Sequence, residues 1–130
     1  MQIEIFALCD AATADFGKLN MLGVFDAIWG SQFPVVHPQC YIAIRVRFEK
    51  IEAGQHLVAI NFIDMDGRSI IPQQQGVLTV NFPEGERTIS ANLIFGIQGL
   101  KLDRVGEYSI DLAIDGQQKS SLPLFVKERK

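Results

Sequence analysis

The stretch Tyr41-Ile42-Ala43-Ile44-Arg45-Val46-Arg47-Phe48 decides the fold. Ile42, Ile44, Val46 and Phe48 alternate with Tyr41, Ala43, Arg45 and Arg47, and a period of two places the two sets on opposite faces of a strand. One face of that strand is apolar and must be buried. Residues 56–64 alternate in the same way, but Leu57, Ala59 and Ile63 on one side are nearly as apolar as Val58, Ile60 and Phe62 on the other. That pattern suits a central strand covered on both faces.

Working outward, residues 2–13, 18–29, 69–71, 76–82, 87–95, 107–114 and 117–126 show further β patterning, which gives eight or nine strands. Turn chemistry separates them. Asp66-Gly67 and Asp115-Gly116 are the residues a tight hairpin favours where the backbone needs positive φ, and Pro83-Glu84-Gly85 suits a type I turn. Gly23 interrupts an apolar run and predicts a bulge or a bend at a sheet corner. Pro123 has no amide to give a ladder, so the last strand is expected at or near an edge. No window carries a capped amphipathic helix, apart from a short turn expected at residues 11–16. Without helices, this much Ile, Leu and Phe is buried only by packing sheet on sheet or by closing a barrel. The expectation is an antiparallel β-sandwich, immunoglobulin-like, as one domain over residues 1–130.

Composition agrees. Ile, Val, Leu and Phe make up roughly a third of the 130 residues and charged residues 21%, a balance that favours a folded core over disorder. No apolar run exceeds five residues, the length of Ile5 to Cys9, against the roughly twenty a membrane helix needs. Glu4 stands where a secretory leader has a basic start, so a cytoplasmic location is expected. The net charge is −3 and the basic residues are scattered, which gives no field to attract nucleic acid or an anionic membrane. Cys9 and Cys40 lie in apolar stretches without CxxC spacing and read as free buried thiols.

Leu102-Asp103-Arg104-Val105-Gly106-Glu107-Tyr108 has the L-x-x-x-G-x-Y order of a tyrosine corner, and the hairpin that follows it is similar to the last two strands of many immunoglobulin-like domains. Together with residues 17–29 and 56–67, it makes the chain resemble a family of uncharacterised bacterial proteins of about this size. The resemblance implies a β-sandwich and brings no activity, cofactor or catalytic residue with it.

Motifs that carry chemistry are missing or incomplete. Asp64-x-Asp66-Gly67 matches the opening of a calcium loop, but the glycine comes too early, Arg68 takes a ligand position and the closing glutamate is absent. His37 and His56 have no partner at zinc-ligand spacing. There is no G-x-S-x-G, and Ser31, His37 and scattered aspartates form no recognisable triad; glycine-rich phosphate loops are lacking too. The expectation is a protein without metal, cofactor or catalytic residues. Two surfaces remain. Tyr41, Arg45 and Arg47 share one strand face, where they either grip an anionic partner or pair with acids on neighbouring strands. Trp29, Phe33 and His37 lie in the proline-flanked segment 29–38, read as a loop that plugs the sandwich or contacts a partner. The leading reading is a non-enzymatic interaction or accessory module. It presents the 117–126 edge or the 29–38 loop to another protein or to a second copy, with a homo-oligomer expected. The rival is a small-ligand-binding sandwich with an end pocket lined by Trp29, Tyr41, Arg45 and Arg47, and a hydrolase is a weaker third.

Overall fold

The alternation at residues 41–48 is the middle of a longer strand, β4 (Val35–Glu49), in a computed structural model that describes residues 1–130. Cys40, Ile42, Ile44, Val46 and Phe48 line its inner face and are all fully buried. Before it come β1 (Gln2–Asp15), β2 (Lys18–Val24) and β3 (Ala27–Gly30). After it come a short 3-10 turn (Lys50–Glu52) and then β5 (Gly54–Ile63), β6 (Gln74–Val80), β7 (Thr88–Leu102), β8 (Gly106–Ile114) and β9 (Gln117–Glu128). The strands form two sheets, ordered β2-β1-β4-β7 and β3-β9-β8-β5-β6. Every pairing is antiparallel except that of β3 with β9.

The two inner faces meet in one apolar cluster, in which Ile42, Ile44 and Phe48 from one sheet join Ile60, Phe62, Ile110 and Leu112 from the other. Burial of each such side chain contributes about 1.5–3 kcal/mol, so the core and not the surface ion pairs dominates stability. The architecture is the expected all-β sandwich, with nine strands. No helix is long and apolar enough to cross a membrane.

The tyrosine corner is present. Tyr108 is 2% exposed and its hydroxyl donates to the Arg104 carbonyl at 2.7 Å. Asp115 and Gly116 adopt φ of 54° and 80°, as the tight β8–β9 hairpin requires.

Several expectations change. The run at residues 18–29 is two strands in different sheets, because Gly23 turns the backbone with φ of 70° and the chain crosses over at Phe25 and Asp26. A Cβ at Gly23 would collide with the Asp10 carboxylate. Residues 69–71 are not a strand: Ser69 makes a single bridge to Ile63, while Ile70 and Ile71 turn inward onto the core. Residues 11–15 form no turn but extend β1, and Phe16 and Gly17 close the β1–β2 hairpin with positive φ. The 29–38 segment is mostly strand, with Trp29 and Gly30 in β3 and Val35 onward in β4.

Past Cys9, β1 leaves β4 and continues with β2 as a hairpin arm folded over the outer face of its own sheet. The Nη1 of Arg45 donates to the Gly17 carbonyl at the arm's tip at 3.2 Å. Beneath the arm, Cys9 and Ala43 are fully buried although both point to the outer face. Where β4 and β7 continue beyond Cys40 and Ile97, Pro38 faces Gly99, whose φ is 64°. Ladder pairing lapses there and the pleat changes phase, so Leu100 and Leu102 point inward after Ile97.

Candidate interaction surface

Arg45 and Arg47 occupy the outer face of β4 and are already engaged. Glu4 receives Arg45 Nε at 3.0 Å on one carboxylate oxygen and Arg47 Nε at 2.8 Å on the other. The register of β1 against β4 shifts between Ile3 and Ile5, and this bulge carries Glu4 to a place where it spans both guanidinium groups. Arg45 also donates to Asn92 Oδ1 at 3.1 Å, and Arg47 to Thr88 Oγ1 at 3.3 Å. The two bonds from the arginines hold the Glu4 carboxyl below its ordinary range against the opposing effect of burial. Tyr41 is half-buried on the same face and accepts a bond from the Gln39 amide. The arrangement is that of a strand face whose two cations share one carboxylate of a neighbouring strand.

Trp29 lies elsewhere, on the outer face of the second sheet, beside its β9 neighbour Lys127, whose ammonium sits 5.2 Å from the indole centroid. Phe33 is half-buried against the core, and His37 packs on Phe25 with ring centroids 5.4 Å apart. Trp29 therefore does not share a pocket with Tyr41, Arg45 and Arg47, which are on the far side of the sandwich.

His56, on the inner side of β5, stacks on Phe48 and holds two acceptors, the Asp115 carboxylate and the Glu52 carbonyl, each 2.6 Å from a ring nitrogen. Both thiols are free, and burial raises each, Cys40 to about 11. Asp64 closes its own turn, accepting the Asp66 and Arg68 amides at 2.9 Å.

The openings of the molecule lie at its sheet margins. Between β1 and β9 runs a cleft of about 360 Å³ lined by Phe6, Leu8, Val24, Phe25 and Leu122 among others. The β9 margin there is blunted by Pro123. Phe125 donates its amide to Asp26, away from β8, and two residues earlier Pro123 presents an imide nitrogen on the same side. The β1 margin is interrupted by the bulge at Glu4, β2 is short and kinked at Gly23, and β3 and β6 have four and seven residues.

β7 is different. It pairs with β4 alone, and none of its backbone groups bonds outside that ladder. Which groups face outward follows from one bond and the alternation of a strand. The Phe25 amide bonds the Leu8 carbonyl on the side of β1 away from β4, so Ala7 and Cys9 face β4 and bond Ala43 and Tyr41. Ile42, Ile44 and Val46 then face β7 and bond Phe95, Leu93 and Ala91. Ser90, Asn92, Ile94 and Gly96 are left with amides and carbonyls directed outward. Residues 88–98 contain no charged residue and no proline. The sequence points to residues 117–126 as the docking edge, whereas the long unprotected margin is β7. The signal was the uncharged run, but its meaning depends on strand order.

These features define an all-β sandwich of two sheets with one long, regular, unprotected margin. The chain belongs to DUF6941, a family of unknown function whose pattern matches residues 4–127. No curated protein matches it. Among solved structures, it is similar to part of the crystal structure of β-glucosidase from Listeria innocua in complex with isofagomine. The TM-score is 0.50 at 8% identity, over 95% of this chain and 16% of that one, and the likeness is one of fold alone.

Proposed function

We propose that the protein is a non-enzymatic interaction module that recruits a protein partner by adding a strand to the margin of β7. The observation that carries this reading is the uncharged stretch at residues 88–98, with the backbone groups of Ser90, Asn92, Ile94 and Gly96 unpaired. Such an edge is a template for another strand, and sandwiches that do not use theirs break it with lysine, proline or a bulge. The other margins carry such breaks or, like seven-residue β6, offer about half the length of fifteen-residue β7. The faces offer less to nucleic acid or a membrane, since Arg45 and Arg47 are already engaged by Glu4 and the rest of the basic residues are scattered.

A lysine-flanked peptide of alternating Val and Thr, added in excess, tests the reading by amide hydrogen exchange. Protection of Ser90, Asn92, Ile94 and Gly96 beyond that of the peptide-free protein supports strand addition, and exchange at these four amides that is fast without peptide and stays fast with it refutes the reading. A second reading, a site for a small apolar ligand, rests on the cleft lined by Phe6, Phe25 and Leu122, whose volume falls in the range of ligand pockets. Replacing Leu122 with Trp should fill that cleft and abolish binding of an apolar dye; undiminished binding would remove this reading.

A further inference from the structure

We infer that the strand added to β7 is the β7 of a second copy, in an antiparallel register centred on Leu93. The inference rests on the proposed use of the β7 edge and names its occupant. Two identical edges related by a twofold axis bond through the residues that face outward, and Ser90, Asn92, Ile94 and Gly96 are evenly spaced for this. Centred on Leu93, Asn92 bonds Ile94 of the other copy and Ser90 bonds Gly96. The intervening pairs then lie on the inner face, with Leu93 meeting its own copy, Ala91 meeting Phe95 and Ile89 meeting Ile97. Apolar meets apolar at every inner position, and small meets large at Ala91 and Phe95.

Charge argues the same way. The protein carries a net charge of −3, so two copies repel at long range, and an isologous contact must avoid placing like charges face to face. Residues 88–98 meet this condition with no charge at all. A charged partner peptide would find no complementary group along this strand, whereas an identical strand needs none. Half-buried Leu93 and Ile94 gain cover from the pairing. The joined sheet has eight strands, with the two β7 strands at its centre and β2 at each end.

Light scattering on the wild-type protein, with two double variants, tests register and occupant together. In N92E/I94K each glutamate faces a lysine of the other copy, and in N92E/I94E each faces a glutamate. Position 92 remains an acceptor for Arg45 in both. The expected result is twice 14.5 kDa for the wild type and for N92E/I94K, with N92E/I94E falling to a single chain or dissociating at least about tenfold more readily. A wild type that stays monomeric, or a dimer that both variants keep or both lose, overturns the inference.

Hydrogen exchange on the wild type supplies a measurement that needs no variant. Protection of Ser90, Asn92, Ile94 and Gly96 should rise with protein concentration, and concentration-independent exchange overturns the second copy as occupant. A monomer that still protects these amides against the Val-Thr peptide sinks the inference but spares the strand-accepting edge. A monomer that protects nothing sinks both.

Discussion

Replacing His56 with Gln should cost stability at mildly acidic pH and markedly less at alkaline pH. Both ring nitrogens of His56 stand 2.6 Å from acceptors, Asp115 Oδ2 and the Glu52 carbonyl. An acceptor on each side needs a proton on each nitrogen, so the geometry selects the imidazolium. Burial pulls the histidine down, but the bonds to Asp115 and Glu52 outweigh it and raise its pKa above the ordinary value. The same bond to His56 holds the Asp115 carboxyl below its usual range.

For the raised histidine, the stabilisation is complete below the unfolded value of about 6.5 and is lost as pH rises through the folded pKa. For the lowered aspartate, it is complete above about 3.9 and is lost as pH falls through the folded pKa. The pair therefore contributes most between these two unfolded values. A hydrogen bond to a charged group contributes about 1.5–3 kcal/mol, and the 46% exposure of the Asp115 side chain reduces this to about 1–2 kcal/mol. Loss of stacking on Phe48 adds a cost that does not depend on pH. Urea titration of wild type and H56Q at about pH 5.5 and about pH 8.5 isolates the charge-dependent part. The stability gap should be larger at the lower pH by about 1 kcal/mol, or roughly 3–5 °C in Tm. Asp115→Asn should flatten the same pH dependence. A gap of equal size at both pH values would refute the charged latch.

Tyr108→Phe should lower stability by about 1 kcal/mol, read by denaturant titration, because the Arg104 carbonyl loses the hydroxyl that buried Tyr108 donates at 2.7 Å. Cys9 and Cys40, both buried and raised by burial, should resist a thiol reagent such as DTNB in the native protein and react fully in denaturant. Fast native labelling would show that the arm over Cys9 opens readily. Calcium at about 1 mM should leave Tm unchanged within about 1 °C, since the Asp64 carboxylate is already committed to the Asp66 and Arg68 amides.

Much of the sandwich was legible because alternation is a local property. Residues 41–48 announce a strand with one buried face, and the Asp115-Gly116 and tyrosine-corner signals fix the last hairpin. What was not legible is non-local. In the run at residues 18–29 Gly23 signals a bend, but that its halves belong to different sheets is a choice made by partners on β1 and β9. β7 was expected to stop at Phe95 because Gly96, Gln98 and Gly99 spoil the alternation. The phase change at Gly99 restores inward-facing Leu100 and Leu102. Prolines made residues 29–38 look like a loop, though most of them extend β3 or β4. At the candidate surface, the arginines were visible, but Glu4 lies about forty residues away and reaches them only through a bulge. The uncharged run in β7 was equally visible, but whether a strand is internal or marginal is decided by the order of all the others.

The setting of β9 also decides how the protein carries a mechanical load. Its C-terminal part is held between β8, which runs against it, and β3, which runs with it from Ala27↔Phe125 to Gly30↔Glu128. Arg129 adds a further backbone bond to Gly30. A force that draws Glu128 along the strand axis strains both ladders at once, and their bonds lie across the direction of pull. The bonds then resist together, in shear, where a hairpin pulled open from its end would give way one bond at a time. β3 has only four residues, but its place turns the last strand from a flap that peels into a bolt that must slide.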